Sequence, residues 1–317
     1  MGSVLDETQL TRIREFIQPF RVSPGSKVVL GRDFDPSATG EFFGEEDSKG
    51  LLEQGVKALA HYQSRLAAQD TYGVLVVLQA LDAGGKDSTI KHVMSGVNPQ
   101  GVSVHGFRKP SADELDHDYL WRYALKLPAR GEIGIFNRSH YEEVLVTRVH
   151  PEILERQKLP PAARQNGVWK RRYRQINDWE RFLVENGFPI VKLFLNLSRE
   201  EQRRRFLRRI GFPEKNWKFN AHDVEERKHW DEYQKAFSRM LSETSTEHAP
   251  WYVIPADHKW FLRVAVAAVL VNTLVEIDPQ YPTVDEEATR ALLDSKAELE
   301  AEAPEGVPPD PIAAGHG

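Results

Sequence analysis

Apolar runs recur along the chain, and each gives way to a stretch with helical spacing. Val74-Leu75-Val76-Val77-Leu78 is apolar throughout, and Ile133 to Phe136, Ile190 to Leu195 and Trp251 to Ile254 repeat the pattern. Val102 to Phe107 adds a further strand. Runs without polar alternation predict strands buried on both faces, as in a parallel sheet covered on both sides. Between them the spacing predicts helices. The first is a short amphipathic helix over Glu7 to Phe20. The next covers Leu51 to Asp70, with Leu52, Val56, Leu59 and Ala60 on one face. Others begin at Asp87 or cover Asp113 to Leu127, Trp169 to Asn186, Arg199 to Ile210, Asp223 to Leu241 and Trp260 to Ile277. Val22 to Gly44, rich in Gly, Pro, Ser and Asp, predicts an irregular arm. The rhythm predicts an α/β fold with a five-stranded parallel sheet. It divides into an N-terminal helix and arm (1–50), a core domain (51–280) and a tail (281–317).

Composition adds limits. Hydrophobic residues make up 40% and charged residues 28% of 317, a balance that supports a sizeable core. The net charge of -5 is uneven. Thr283 to Gly317 holds nine acidic and two basic residues, or -7, which leaves +2 for the rest. A phosphate site must therefore come from local clusters of Arg and Lys, and no nucleic-acid or membrane partner is expected. Glu286 to Glu302 predicts an acidic helix, and the four prolines of Pro304 to Gly317 predict a partly disordered end. With no cysteine, thiolate chemistry and disulfides are excluded. The longest apolar stretch, Val264 to Val271, is too short to span a bilayer, and the first 30 residues lack a signal-peptide pattern, so a cytoplasmic protein is expected.

The first strand runs into Ala80-Leu81-Asp82-Ala83-Gly84-Gly85-Lys86-Asp87-Ser88-Thr89. Strand, glycine turn and helix start form a phosphate cradle. Gly84 and Gly85 let amides turn inward, the helix start adds its positive dipole end, and Lys86 supplies a mobile ammonium. Against the G-x-x-x-x-G-K-[ST] pattern, Ala80 replaces the first glycine and Asp87 replaces the hydroxyl that usually binds magnesium. Asp82 offers a carboxylate to the ion instead, with Ser88 beside it. A glycine-rich turn with a solvated lysine is the alternative.

Leu81 to Asp87 resembles the variant phosphate loop, Asp-Ala-x-Gly-Lys, of the polyphosphate kinase 2 family. Further blocks agree in order. Trp121-Arg122-Tyr123, Leu127-Pro128 and Gly131-Glu132-Ile133 lead to Phe136-Asn137-Arg138-Ser139-His140-Tyr141, similar to the family's Phe-Asp-Arg-Ser-x-Tyr. Glu201 to Arg209 with Trp217-Lys218 is similar to its lid, and Pro250 to Lys259 to its last-strand block. The resemblance covers roughly Leu51 to Glu276 and is strongest to class III. It implies a P-loop kinase-like three-layer α/β/α fold with a helical lid at about 199–222. It also implies reversible transfer between polyphosphate and AMP or ADP, with GMP and GDP as further acceptors. Mg2+ is the implied cofactor, with Mn2+ as a substitute. Asn137 departs from the family's Asp, in keeping with class III; it adds no charge.

The implied site is built as follows. Asp82, Lys86, Asn137, Arg138, Arg205 and Arg209 are catalytic, and Asp82 holds the metal. Ala83, Gly84, Gly85, Asp87, Ser88, Lys109, Arg122, Arg208 and Lys218 bind phosphate or nucleotide. Such transfer depends on positioning and on cations that follow the charge. Arg138 follows a strand end, where ligands bind in open α/β sheets; pairing with Glu142 or Glu143 is its alternative. Arg205 and Arg209 share a helix face, as do Arg204 and Arg208. A solvated basic helix is the alternative there. The acceptor oxygen is already ionised, so Asn137 need not act as a base. Trp121 is expected to pack in the core. The first helix and the arm before Gly44 are the expected surfaces of a homo-oligomer, a dimer or tetramer. Two other functions share these motifs: an ATP-dependent nucleoside-monophosphate kinase of the thymidylate-kinase type, and a catalytically inactive phosphate-binding module.

Overall fold

The computed structural model describes residues 5–164 and 167–310, so the last part of the proline-rich end, residues 311–317, lies outside it. The chain separates into two compact units, Met1–Gln280 and Tyr281–Gly317. In the first unit, strands β1 (Val74–Gln79), β2 (Val102–Gly106), β3 (Ile133–Asn137), β4 (Ile190–Asn196) and β5 (Trp251–Pro255) form one parallel sheet. Their order is β2-β3-β1-β4-β5.

Alternation along each strand divides the core into two layers. Val74, Val76 and Leu78 face one side with Ile135, Leu193 and Leu195. That side is covered by α1 (Glu7–Ile17), α2 (Ser48–Gln69), α3 (Lys86–Val93) and α12 (Lys259–Ile277). Leu75 and Val77 face the other side with Phe136, Phe194 and Trp251, under α8 (Val168–Glu185) and α11 (Trp230–Thr244). Every β1 residue is buried, and each of its valine and leucine side chains contributes roughly 1.5–3 kcal/mol.

Shorter helices carry the chain between these layers: α4 (Trp121–Ala124), α5 (Val146–Val149), α6 (Pro151–Glu155), α7 (Pro161–Arg164) and α10 (Ala221–Glu226). Ser198 caps helix α9 (Arg199–Gly211) by accepting from Glu201 N. The second unit holds α13 (Glu286–Ala301), capped by Asp285.

One expectation needs correction. Asp113 to Leu127 is not one helix. It holds a 3-10 turn at Glu114–Asp116, then extended backbone at His117, then α4. Local side-chain bonds compete with the helix here, since Ser111 and Glu114 bond each other's backbone and Asp118 accepts from Leu120 N at 2.9 Å. The apolar stretch Val264 to Val271 belongs to a longer helix. By length and composition α12 would cross a bilayer, yet eleven of its residues are buried. The arm makes hydrogen bonds within its own chain. Val22 N donates to Trp251 O at 2.8 Å, and Val28 N and Leu30 N donate to Ser242 and Ser238 on α11. It covers the edge at β5, which open sheets must protect.

Candidate active site

Strand register brings the loop segments together. Leu78 pairs with Asn137 and Gly106 also pairs with Asn137, so the carboxyl ends of β1, β2 and β3 finish level. Arg138 N donates to Leu78 O at 3.2 Å, which fixes the turn after β3 against the loop after β1. On the other side, Asn196 pairs with Pro255, bringing Ser198 and Asp257 together; Ser198 N donates to Asp257 Oδ1 at 2.8 Å. The site thus lies outside the carboxyl ends of the strands, where open α/β sheets bind ligands.

The loop's residues have separate reasons to be what they are. A Cβ on Gly84 would lie 2.5 Å from Ala80 Cβ and 2.8 Å from Leu81 O, so only glycine fits. Gly85 has φ of 103°, which glycine adopts without strain, and Ala83 is held at φ of 61°. Lys86 begins α3 and reaches back over the loop, its Nζ donating to Ala80 O at 3.0 Å. Burial lowers its pKa, and Arg138 lowers it further, while Asp82, Glu142 and Asp87 oppose this.

Arg138 joins the two loops. Its Nη2 lies 2.9 Å from Asp82 Oδ1 and its Nη1 lies 3.6 Å from Glu142 Oε2. Both readings of this residue meet here: it faces the loop and it also pairs with Glu142. Its φ of 66° is uncommon for a residue with a side chain, a conformation that concentrates at functional sites. Glu142 raises the Arg138 pKa. Burial raises that of Glu142 itself, against the pull of Arg138 and Lys86. Gln79 holds Glu142 in turn: with its amide oriented to satisfy both ends, it donates to Glu142 Oε1 at 3.0 Å and accepts from Ser139 N at 3.1 Å. Asn137 Nδ2 donates to Asp87 Oδ1 at 2.6 Å, so these two positions hold one another.

The arginines of α9 differ in their contacts. Arg205 is buried, and Nη1 donates to Ala83 O at 3.0 Å and Nη2 to Asp257 O at 3.2 Å, while Nε pairs with Glu201 at 2.9 Å. It clamps the phosphate loop to the β5 end. Gln202 adds a second clasp, donating to Asp82 O at 3.0 Å. Arg209 faces Asp223 at 3.3 Å, and Asp223 has its pKa raised by burial and then by Asp82. Arg203 and Arg204 pair with Glu200 in solvent, and Arg208 is exposed. Ser88 Oγ accepts from Arg263 at 3.1 Å.

Outlying candidates lie elsewhere. Lys109 is exposed on the loop after β2. Lys218 is exposed beside the lid's Trp217, 4.9 Å from its ring centroid. Arg122 is not a free cation: it is 8% exposed, donates to Arg108 O at 2.9 Å and lies 3.2 Å from Glu114. It braces the segment that the missing helix would have occupied. Trp121 stacks on His117, its centroid 3.8 Å away. Sequence reasoning missed Gln79, Gln202, Asp223 and Asp257 as site residues and treated Glu142 only as a pairing partner. Helical spacing could have found two of them: Glu142 is four residues after Arg138, and Gln202 lies on the Arg205 face.

The donor set suits a hard divalent cation. Asp82, Glu142 and Asp223 offer oxygen and no sulfur, and among the described residues no preassembled group of three ligands exists. An ion held by one or two carboxylates together with substrate phosphates matches magnesium chemistry. Asp82 is one residue that could hold such an ion.

Comparisons with known proteins bear on the family and the fold. The family model for polyphosphate kinase 2 (PPK2) matches residues 44–282. The chain is 47% identical over 282 residues to the ADP-polyphosphate phosphotransferase of Rhodopseudomonas palustris, covering 88% of this chain and 97% of that one. It is 44% identical over 279 residues to the AMP/ADP-polyphosphate phosphotransferase of Meiothermus ruber, covering 88% and 100%. The crystal structure of polyphosphate kinase 2 from Arthrobacter aurescens TC1 superposes with a TM-score of 0.75 at 37% identity, over 87% of this chain and 98% of that one. With a parallel five-stranded sheet, a glycine-turned phosphate loop and this sequence match, the chain belongs to the polyphosphate kinase 2 family.

Proposed function

We propose that this enzyme transfers the terminal phosphoryl group of polyphosphate to the terminal phosphate oxygen of AMP or ADP. One P–O bond at the chain end breaks and one P–O bond to the acceptor forms, so polyphosphate shortens by one unit. The observation that carries this reading is the joined pair of loops: Lys86 and Arg138 lie together with the carboxylates of Asp82 and Glu142. These cations can follow charge through a loose transition state, and no group is needed to deprotonate the acceptor. The names of the relatives, which specify AMP and ADP, support the substrate pair.

Divalent-metal dependence comes with the family; we assign Mg2+, with Mn2+ substituting, and Asp82 as its first protein ligand. Asp82, Lys86, Arg138 and Arg209 act on the phosphates. Arg205 and Asn137 act by positioning, the first through Ala83 O and the second through Asp87. GMP and GDP are further acceptors in this reading, and the transfer is reversible. An activity panel of AMP, ADP, GMP and GDP with polyphosphate and Mg2+, with ATP omitted, tests it. Phosphorylation of the adenine pair supports the proposal; use of ATP alone as donor would favour the nucleoside-monophosphate kinase reading.

A further inference from the structure

Beyond the loops that hold Lys86 and Arg138, one carboxylate gathers donors from several elements. Glu226 is the last residue of α10. His150 Nε2 lies 3.0 Å from its Oε2, and Tyr233 on α11 donates its hydroxyl to the same oxygen at 2.8 Å. His222, in the first turn of α10, lies 3.3 Å from Oε1. His150 stands at the junction of α5 and α6, where its Nδ1 lies 3.5 Å from Glu152. The ring of His229, just after α10, packs on His150 with 5.0 Å between centroids. Burial opposes the charge on Glu226, yet the hydrogen bonds from Tyr233 and His150 outweigh it, and its pKa is lowered.

Helix α10 needs such an anchor. It has six residues, none of them buried, too short to persist through its own helical bonds. Three residues before Glu226 it presents Asp223, which lies 3.3 Å from Arg209 and lines one cavity with Asp82 and Arg138. Burial raises the Asp223 pKa and Asp82 raises it next, so the helix holds one carboxylate near another of the same charge. The residue after Glu226 ties the same helix end to α9: Arg227 Nη1 donates to Arg199 O at 2.8 Å and to Gln202 Oε1 at 2.7 Å. Gln202 in turn donates to Asp82 O at 3.0 Å. Glu226 and Arg227 thus form a joint, one side on the α5–α6 junction and α11, the other on α9.

We propose that Glu226 is a positioning residue for the transfer: through His150 and Tyr233 it fixes α10 in place, and so holds Asp223 and Arg209 at the phosphate site. This rests on the proposed function. Glu226 acts through those two residues and not on the phosphates themselves. Its removal therefore costs turnover more than acceptor binding, because a displacement of about 1 Å at reacting groups is enough to slow a reaction ~10²-fold.

The test measures kcat and KM with polyphosphate, ADP and Mg2+ for the full chain and for Glu226→Ala, Glu226→Gln, Tyr233→Phe, Asp223→Ala and the double variant of Glu226→Ala with Asp223→Ala. Glu226→Ala should lower kcat roughly tenfold or more with KM for ADP unchanged. Glu226→Gln keeps one acceptor oxygen and should recover part of that loss, and Tyr233→Phe, which removes a single hydroxyl, should show a smaller loss of the same kind. In the Asp223→Ala background, Glu226→Ala should add little, because both act on one path. Parent kcat in Glu226→Ala, or losses that multiply in the double variant, would overturn the proposal. Hydrogen exchange is followed in parallel on the free proteins. Amides of Ala221–Glu226 should exchange faster in Glu226→Ala while those of β1 keep the parent's protection. Faster exchange in β1 as well would mean general destabilisation and would count against positioning. If the parent transferred nothing, the proposed function would fail, and faster exchange confined to α10 would still support the anchor. Unchanged exchange would refute it.

Discussion

Lys86 and Glu142 make opposite demands on the fold. Lys86 is partly buried with its Nζ on Ala80 O, and burial opposes its charge. Removing it as Lys86→Ala should leave circular dichroism unchanged and lower kcat by at least ~10²-fold, the scale of losing a preorganised electrostatic partner. Activity surviving that change would mean the site is wrongly assigned. Glu142 has its pKa raised by burial. The folded chain therefore binds a proton there more readily than the unfolded chain, and stability falls as pH rises from 4.5, the ordinary value, through the raised one. At neutral pH the charged carboxylate is a burden that the Arg138 contact only offsets. Glu142→Gln should thus leave Tm at pH 7.5 equal or higher, while kcat drops ~10-fold or more because Arg138 loses its alignment. A lower Tm with unchanged kcat would show that Glu142 is structural only. Much of this arrangement was legible in the sequence, because Asp82, Gly84, Gly85 and Lys86 lie within one short loop. Gln79, Asp223 and Asp257 were not, since their partners come from distant segments and nothing local marks them.

At the level of elements, the turn after β3 rests on a buried ion network. Lys192 on β4 and Glu180 on α8 are fully buried and lie 2.6 Å apart. Lys192 also donates to Tyr141 Oη at 3.0 Å and Thr244 O at 2.6 Å, and Tyr141 donates to Glu180 Oε1 at 2.7 Å. Tyr141 lies three residues after Arg138, so the network holds the turn that presents that arginine. Either Glu180→Gln or Lys192→Met should destabilise by about 3–5 kcal/mol in urea titration, because each leaves a buried group unpaired. The double variant should lose less than the sum of the two, which a double-mutant cycle measures. Additive losses would mean that the pair is uncoupled. Four of the five strands were legible from their continuous apolar runs. The segment from Asp113 to Leu127 was not, because local bonds from Ser111 and Asp118 override its spacing. The short helices between residues 140 and 164 gave too few turns for periodicity to register.

Across the whole molecule, one parallel sheet gathers segments far apart in sequence. The order β2-β3-β1-β4-β5 sets the β1 loop between the turns after β3 and β4, so Lys86, Arg138 and the α9 lid converge. Apolar rhythm alone predicted the parallel sheet; its strand order required the register itself. The central claim is that polyphosphate, acting through Lys86, supplies the phosphoryl group. The most direct measurement follows ATP formation from ADP, polyphosphate and Mg2+ in the absence of added ATP, with Lys86→Ala run beside the parent. The account predicts that ATP accumulates as polyphosphate is consumed and that the variant forms it at least ~10²-fold more slowly. No ATP from the parent, or equal ATP from the variant, would contradict it.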